Sequence, residues 1–420
     1  MTTQRWCMVA GLATLLTGCT EAEMEPHAID SLGVVPAWST DEAWRIADSA
    51  DYVIGSAHGE HDAFMYVRAA TQLSSGNVAI LDMGVPGIRF YGVDGSHVRT
   101  IGQRGEGPGD FSVPASMARG AGDTLIVADA TQRRITVLDS AGRYIRSLGP
   151  ASVERGDLMV LGMIGDGRVL IRVGDVRVWQ DGLVRDTVVL GVMTLDSGDV
   201  TILARLPDAE RVVELQDAAG NQTQREAPFG RAAHFAANGA SYYAGVSDRD
   251  EIRQYDAAGE PLAVIGGVRP VQGVPSNGAS RYWKATLTGR RADRLKGYRD
   301  PSIAPTTMPA FDALRIDPSG NLWVRRYAPP WSKASSAWDV HDAGGQWLGT
   351  VTLPTGRTRL RDAPDLLEVG HDYVLVLQQD DADVQRVARY RLIKQDCSAC
   401  DPGARPAPSA SITTNLAGVR

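Results

Sequence analysis

The sequence predicts an all-β chain built from a repeated four-stranded unit, and two recurring patterns support this. The first is a strand that runs into a tight turn, as in residues 135–142 (ITVLDSAG) and 252–259 (IRQYDAAG). In such a turn the Asp side chain caps the backbone, and the Gly adopts the positive φ that other residues avoid. Copies of this frame begin at positions 88, 135, 192, 252, 338 and 387. A second strand follows each of the first five copies, which are therefore predicted to be β-hairpins.

The second pattern is a Gly or Asn turn followed by an apolar strand, upstream of each hairpin. Residues 122–128 (GDTLIVA) and 320–324 (GNLWV) are examples, and their apolar character suits central strands that are covered on both faces. A weaker strand precedes most copies, so one period holds four strands over roughly 45–60 residues. Four-stranded units at this period are typical of β-propeller blades, which stack radially. We therefore predict a six-bladed β-propeller over residues 39–395.

Two segments bear on the number of blades. Residues 199–203 (DVTIL) could begin a seventh blade, but no separate hairpin fits between them and the preceding turn. We interpret them as the outer strand of blade three. Residues 269–305 form an insertion between blades four and five, in which residues 280–295 (SRYWKATLTGRRADRL) can form a basic helix.

The two ends of the repeat are unequal. The sixth hairpin copy ends at Lys394 without an Asp-x-x-Gly turn and without a following strand. At the other end, residues 43–47 and 52–54 have the pattern of a strand but precede blade one without a blade of their own. We predict that this N-terminal strand closes the last blade, because such a closure leaves no exposed sheet edge at the junction.

The composition permits a large core and excludes one class of partner. The chain has 420 residues, of which 43% are hydrophobic and 22% are charged, so wholesale disorder is excluded. The formal net charge is -7 and the pI is ≈ 5.6. A protein without a basic excess cannot displace counterions from phosphates, so we expect no binding to nucleic acid.

The N-terminus has the pattern of an export signal. Arg5 supplies the positive charge, and residues 8–16 (MVAGLATLL) form an apolar stretch shorter than the roughly 20 residues that span a bilayer. Residues 16–19 (LTGC) resemble the bacterial lipobox. The resemblance implies that residues 1–18 are a signal peptide and that Cys19 becomes the lipidated first residue of the mature chain. The alternative is a plain secretory signal with a chance cysteine.

This interpretation places the protein in the cell envelope, anchored to a bacterial membrane and facing the periplasm or the exterior. Two or three acyl chains make such an attachment essentially permanent. Residues 19–38 are acidic and aperiodic and are predicted to be a tether, and residues 396–420 are predicted to be a disordered tail. Cys397 and Cys400 are expected to form a small disulfide, since exported proteins meet oxidising conditions.

One stretch permits a comparison with a known repeat. Residues 102–114 (GQRGEGPGDFSVP), followed by 125–129 (LIVAD) and 134–139 (RITVLD), resemble an NHL-type repeat. The match is good over about residues 95–149 and weaker elsewhere. With six hairpin copies, the chain over about residues 40–394 resembles the bacterial six-bladed propellers of NHL-like type. The resemblance implies a role in ligand binding or as a protein-interaction scaffold.

Loops at one face of a propeller surround the opening of its central channel, and central strands end there. The candidates for a ligand site on this face are His58, Glu60, His61, Arg104, Glu106, Asp110, Asp129, Arg172 and Arg325. For the last three, the alternative is hydrogen bonding between blades. Trp331 and Trp338 could stack on a sugar or a peptide, although such residues also pack between blades.

His58, Glu60 and His61 invite a metal interpretation, because imidazole and carboxylate ligands suit zinc or copper. Their pattern is not the helical H-E-x-x-H motif, and no further ligand can be named. We therefore interpret this segment as an ordinary solvated loop.

The sequence contains no evident catalytic motif. Six-bladed propellers of the gluconolactonase and paraoxonase types hold calcium with acidic and amide side chains in the channel, but no such set is recognisable here. A G-x-S-x-G elbow is also absent from the sequence. We predict a binding or scaffolding protein without a cofactor, whose ligand is an unknown protein, peptide or carbohydrate. The alternative is a metal-dependent hydrolase or lyase that uses calcium or zinc, and the sequence leaves the question of catalysis open.

Overall fold

The structure is a computed structural model. It describes residues 35–39, 43–59, 61–151, 153, 156–174, 180–214, 223–267, 269–286, 305–332, 334–356, 365–380 and 382–394. Four residues singled out from the sequence lie outside the described residues: Cys19, Glu60, Cys397 and Cys400. The predicted lipid anchor and disulfide therefore stay predictions.

Within the described residues the strands form six antiparallel sheets, and each sheet is one blade. The chain begins with β1 (Arg45–Ile54), which belongs to the last blade. Blade one contains β2 (Val67–Gln72), β3 (Val78–Asp82), β4 (Gly87–Tyr91) and β5 (His97–Ile101), and blade two contains β6 (Pro114–Arg119), β7 (Leu125–Asp129), β8 (Arg134–Leu138) and β9 (Tyr144–Leu148). Blade three contains five strands: β10 (Leu158–Met163), β11 (Arg168–Gly174), β12 (Gly182–Thr194), β13 (Val200–Glu214) and β14 (Thr223–Glu226).

The second half of the chain repeats this plan. Blade four contains β15 (Ala233–Ala237), β16 (Ser241–Val246), β17 (Glu251–Asp256) and β18 (Pro261–Gly266). Helix α1 (Gly278–Thr286) follows, and blade five then contains β19 (Phe311–Ile316), β20 (Leu322–Arg326), β21 (Ser335–His341) and β22 (Trp347–Gly356). Blade six contains β23 (Leu366–Val369), β24 (Tyr373–Gln379), β25 (Gln385–Ile393) and β1.

The innermost strands of the blades form a closed ring. β2 contacts β6, β6 contacts β10, β10 contacts β15, β15 contacts β19, β19 contacts β23, and β23 contacts β2. Sheets that stack around one axis in this way make a β-propeller, in which the faces of each sheet are buried between its neighbours. The predicted fold class is confirmed.

The ring closes through the N-terminal strand, as predicted, because β1 pairs antiparallel with β25. Trp38, which the sequence analysis put at the end of the tether, also belongs to the folded part. It is 5% exposed, and its ring centre lies 4.9 Å from that of Trp44. Lys394 places its Nζ 4.3 Å from the centre of the Trp44 ring. The closure is therefore supported by aromatic packing as well as by backbone pairing.

The Asp-x-x-Gly turns explain how each blade meets the blade before it. In blade two, Asp139 Oδ1 accepts hydrogen bonds from the backbone N–H groups of Ala141 and Arg143, at 2.9 and 2.8 Å. Gly142 has a φ of 75°, and a Cβ at this position would lie 2.6 Å from the side chain of Ile101 in blade one. Glycine is thus required here both by the backbone conformation and by the close approach of the neighbouring blade.

Blade three confirms one interpretation and adds a strand that the sequence analysis did not predict. Residues 199–203 lead into β13, the fourth strand of this blade, so they do not begin a seventh blade. β12 and β13 continue past the other strands of the blade, and β14 pairs with the end of β13. Phe229 follows β14 and packs against Tyr282 of α1, with ring centres 5.2 Å apart.

Helix α1 begins two residues before the predicted basic helix. Its description ends at Thr286, and the rest of the predicted helix lies outside the described residues. In the part of the chain that the structure describes, no helix has the length and apolar character needed to cross a membrane.

Deleting residues 39–56 removes β1, and we expect this to destabilise the protein strongly. Ile46 and Ile54 of β1 are buried, and each such side chain contributes about 1.5–3 kcal/mol. Together with the lost strand pairing, this is a large part of a typical stability of about 5–15 kcal/mol. Thermal unfolding of the deletion beside the mature chain measures the effect. As a control, deleting residues 20–34 should leave the Tm nearly unchanged, and equal Tm values for all three proteins would contradict the closure.

Candidate functional site

The innermost strands of a propeller all begin at the same end of the central channel, which we call the channel mouth. A β-bulge falls on the second residue of four of these strands. The bulged residues are Arg68, Ala115, Asp312 and Leu367. Bulges re-aim the side chain that they carry. The second residue of β15, a strand that pairs with β16 without a bulge, is His234.

Arg325 joins blade five to blade six at the mouth. Its Nε donates to Asp312 Oδ1 at 2.5 Å, and its Nη1 donates to Asp365 Oδ1 at 3.0 Å. Arg325 is 6% exposed and Asp365 is fully buried. Burial disfavours the charged guanidinium, but the two carboxylates outweigh this and raise the pKa of Arg325. The three side chains thus form a largely buried ion cluster with a formal charge of 1 − 2 = −1, in which Asp365 Oδ2 has no hydrogen-bond partner among the described residues.

A second ion pair comes from blade three. Arg172, at the end of β11, places Nη2 2.5 Å from Asp208 Oδ2. Asp208 lies in the part of β13 that continues past the blade, and its backbone oxygen accepts a hydrogen bond from Arg185 Nε at 3.2 Å. Two residues further along β13, Glu210 Oε2 accepts a hydrogen bond from Arg231 Nε at 2.9 Å. The strand extension therefore places Asp208 near His234, and arginines face the carboxylates of both Asp208 and Glu210.

His234 lies near both ion pairs and interacts electrostatically with Asp312, Asp208, Arg325 and Arg172. No described residue forms a hydrogen bond with its imidazole. The imidazole meets the Phe311 ring edge-on, with the two ring centres 5.5 Å apart. Burial outweighs the nearby carboxylates and lowers the pKa of His234 to about 4. The imidazole is therefore neutral at pH 7, and it offers one hydrogen-bond donor and one acceptor.

Of the residues predicted from the sequence, Arg172 and Arg325 lie in this cluster. Asp129 instead accepts hydrogen bonds from the backbone of nearby turns. Asp129 Oδ2 accepts hydrogen bonds from the N–H groups of Ser112 and Val113, at 2.6 and 3.0 Å, and Oδ1 accepts from those of Thr131 and Gln132. All of these donors are backbone groups of turns beside β6 and β7. The carboxylate is fully buried, so this arrangement favours the structural interpretation of Asp129.

The loop at 102–111 lies against blade two. Arg134 donates to the backbone oxygens of Glu106, Gly107 and Asp110, at 2.9, 2.9 and 2.7 Å. The side chains of Arg104 and Glu106 are exposed. Among the described residues, no hydrogen bond or ion pair joins the side chains of Arg104, Glu106 or Asp110 to the cluster around His234, so the structure does not bring these candidates together.

The counterpart loop at 55–64 lies beside blade one. Its His61 ring stacks on the ring of His97 with centres 4.0 Å apart, and its backbone oxygen accepts a hydrogen bond from Tyr91 Oη at 2.5 Å. Burial and the neighbouring His61 lower the pKa of His97. His58 is exposed. Among the described residues, no hydrogen bond, ion pair or ring contact joins His58 or His61 to the cluster around His234.

A calcium or zinc ion does not fit the side chains at the mouth. The three carboxylates of the cluster, from Asp208, Asp312 and Asp365, already face arginines at 2.5–3.0 Å. Among the described residues, no group of three or more His, Cys, Asp and Glu side chains is placed to hold a metal ion.

The two candidate aromatic residues differ in exposure. Trp338 is fully buried, so its ring is not available to a sugar or a peptide. Trp331 is partly buried, and the Arg281 guanidinium lies 4.6 Å from its ring centre.

A small cavity of about 100 Å³ lies between blades four and five. Its lining includes Arg326 and Asp339, which pair with each other, the Nε of Arg326 lying 2.8 Å from Asp339 Oδ2. The cavity is smaller than the roughly 300–1,000 Å³ of typical ligand pockets. A second cavity, of about 280 Å³, lies beside the loop at 102–111, and its lining includes Asp110. The cluster around His234 is a candidate site because of the chemistry of its side chains.

Sequence reasoning missed four members of the cluster: His234, Asp208, Asp312 and Asp365. One signal was available for two of them. His234 and Asp312 each occupy the second position of an innermost strand, next to an apolar residue, and a comparison of this position across blades would have found both. Asp208 lies in a strand extension that has no counterpart in the other blades, so the repeat contained no signal for it.

Comparisons with known proteins agree on the fold. No family model matches the chain, and no curated protein matches it. A member of the DUF4221 family from Bacteroides vulgatus is 10% identical, with a TM-score of 0.50, and the match covers 84% of this chain and 99% of that protein. At this identity the likeness shows the fold alone.

Two further solved structures are similar to the chain. The calcium-binding protein regucalcin from Agrobacterium tumefaciens is 11% identical, with a TM-score of 0.41, and the match covers 80% of this chain and 94% of that protein. The β-propeller domain of Cps50 (Swd1) from Myceliophteria thermophila is 8% identical, with a TM-score of 0.37, and the match covers 81% of this chain and 98% of that domain.

Replacing the buried arginine of the cluster should destabilise the protein. Arg325→Leu leaves Asp312 and Asp365 without their shared guanidinium, and breaking a buried pair in this way costs about 3–5 kcal/mol. The matched control is Arg143→Leu. Arg143 also pairs with a carboxylate, Asp139 at 2.7 Å, but its side chain is 82% exposed, so its replacement should lower the stability far less. Urea unfolding of both variants measures the difference, and equal losses would show that the buried cluster is not structural.

Proposed function

We propose that the protein is a non-catalytic binding module of the bacterial cell envelope that captures a ligand at the channel mouth. The observation that carries this proposal is His234, a neutral imidazole at the mouth that no described residue hydrogen-bonds. Buried and partly buried polar groups normally have hydrogen-bond partners, so a group with open capacity in a rigid cluster is a natural point of ligand contact.

The charges around His234 favour a neutral polar ligand. The charged groups that act on its imidazole are Arg172, Arg325, Asp208 and Asp312, so the formal sum is 2 − 2 = 0. This balance favours neither an anion nor a cation. The donor and the acceptor of a neutral imidazole suit hydroxyl or amide groups. We infer that the ligand presents such groups, as carbohydrates and peptides do.

The alternative, a metal-dependent hydrolase or lyase of the gluconolactonase kind, requires carboxylates that are free to bind a metal ion. The engagement of Asp208, Asp312 and Asp365 by arginines supports the binding module instead. The likeness of residues 102–139 to NHL-type repeats is consistent with a scaffold that binds through its channel face.

A thermal-shift screen of the mature protein tests the ligand site. The screen contains oligosaccharides, peptides, and calcium and zinc salts. A ligand present at about 100 times its Kd should stabilise the protein by roughly 2.7 kcal/mol. We expect His234→Leu to remain folded, because the imidazole has no hydrogen bond to lose within the described protein, and to be stabilised much less by the ligand.

The control variant is His371→Leu, since His371 is exposed and lies in the turn between β23 and β24. It should respond to the ligand as the unmodified protein does. Equal stabilisation of the His234→Leu variant would place the ligand elsewhere. Stabilisation by calcium or zinc alone, reversed by a chelator, would favour the enzyme.

The anchor is a separate part of the proposal and rests on the lipobox at residues 16–19. Cys19→Ser should block lipid attachment, so the variant should no longer partition into detergent, whereas the unmodified protein should do so. Phase partitioning and mass spectrometry of the mature N-terminus measure this. Recovery of the unmodified protein as a soluble species that begins at another residue would show that the chain is secreted without a lipid.

A further inference from the structure

The second cavity lies where the outer strands of blades one and two meet. It has a volume of about 280 Å³ and is bounded by the end of β5 and by the hairpin that joins β8 and β9. We call it the hairpin cavity. Its volume is close to the lower limit of the roughly 300–1,000 Å³ of typical ligand pockets. The cavity is therefore large enough for a small organic molecule.

The loop at 102–111 forms a fixed wall of the hairpin cavity. Phe111, at the end of this loop, is fully buried. Gln132 Nε2 donates to the backbone oxygen of Gly105 at 2.5 Å, and Arg134 donates to three further backbone oxygens of the loop. Because the wall is already ordered, a ligand does not have to pay the free energy of ordering it.

Asp110 supplies a carboxylate without a partner. The residue is half-buried and lines the cavity. Its carboxylate forms no hydrogen bond or ion pair with any described residue, although polar groups that are removed from water normally have partners. An ionised carboxylate only accepts hydrogen bonds. A ligand that binds it therefore presents a donor such as a hydroxyl group.

Tyr144 supplies an aromatic surface beside this carboxylate. The residue is 43% exposed and lines the same cavity. Gly109 precedes Asp110 in the chain and lies next to Tyr144, since a Cβ at Gly109 would be 3.7 Å from the Tyr144 Cβ. Gly109 has a φ of 80°, which favours glycine, and the missing side chain keeps the space beside the ring open. Tyr144 and Asp110 are thus close enough to contact one small ligand.

Blade one differs from blade two at the corresponding place. The chain between β1 and β2 is as long as the chain between β5 and β6, so the two loops can be aligned residue by residue. In blade one the aligned positions are His61 and His97, whose rings stack with centres 4.0 Å apart. In blade two they are Pro108 and Tyr144, which both line the hairpin cavity. Among the described residues no aromatic ring stacks on Tyr144, so its ring keeps a face for a ligand.

The charges beside the cavity favour a neutral ligand over a cation. Asp110 contributes one negative charge, and Arg134, whose Nη2 donates to the backbone oxygen of Asp110 at 2.7 Å, contributes one positive charge, so the formal sum is 1 − 1 = 0. Arg134 would repel an ammonium group. Gln103 also lines the cavity, and its amide both donates and accepts hydrogen bonds.

We propose that the hairpin cavity binds a hexopyranose unit of a carbohydrate. One C–H face of the sugar ring packs on Tyr144, a hydroxyl group donates to Asp110, and a neighbouring hydroxyl group exchanges hydrogen bonds with Gln103. The cavity shares no residue with the cluster around His234. This site is therefore independent of the proposed ligand site at the channel mouth.

Isothermal titration calorimetry of the mature protein with the methyl glycosides of glucose, galactose, mannose and N-acetylglucosamine tests this site. We expect at least one glycoside to bind, and we expect Tyr144→Ala and Asp110→Asn each to raise its Kd at least about tenfold. Both variants should fold, because neither side chain forms a hydrogen bond or an ion pair with a described residue. Thermal unfolding of both variants checks this.

The matched controls are Ile145→Ala, at the next exposed residue of the same strand, and Glu106→Gln, at an exposed carboxylate of the same loop outside the cavity lining. Both controls, and His234→Leu, should leave the Kd unchanged. Absence of binding by every glycoside would overturn the proposal. Binding that is lost in His234→Leu but unaffected by Tyr144→Ala and Asp110→Asn would also overturn it, because the sugar would then occupy the channel mouth. Binding of choline in place of the glycosides would show that the cavity recognises a cation and would equally overturn it.

Discussion

The pairing of β1 with β25 is the constraint on which the rest of this structure depends. A blade buries both of its faces only when a neighbour stands on each side, so an open ring would expose the faces at its two ends. The closure joins positions far apart in the chain. Arg389 donates to Asp51, 338 positions away, and the N–H of Val67 donates to Gln385 Oε1 at 2.8 Å. Because the ring is closed, the innermost strands keep fixed positions around the channel.

Fixed inner strands allow charged groups to be buried at the channel mouth. Arg325 lies between carboxylates of blades five and six, and Arg172 neutralises Asp208 within blade three. Buried charges are tolerated only when their partners are well placed, and such placement requires a rigid frame. Within the described residues, the buried Asp365 Oδ2 and the His234 imidazole keep open hydrogen-bonding capacity at the mouth. The mouth is therefore suited to recognition through hydrogen bonds more than through charge.

The outer strands at the perimeter of the ring differ from the channel in how they are protected. Outer strands have an edge that the ring does not cover, and the chain protects these edges in two ways. Blades one and two place arginines, Arg99 and Arg146, beside a bulge of the outer strand, whereas blade five uses its own segment at Trp38. Blade four has neither the arginine nor a covering strand among the described residues.

Local patterns in the sequence were sufficient to predict the blades, because a turn such as 139–142 depends on residues that are adjacent in the chain. The closure was also predictable, since the unequal ends of the repeat can be counted. The site was not. His234, Asp208 and Asp312 come from three blades, and which side chains face the channel depends on strand register and on single-residue bulges. Burial, which sets the pKa of His234, and the backbone donors that engage Asp129 exist only in the assembled ring, so the tertiary structure alone decided these roles.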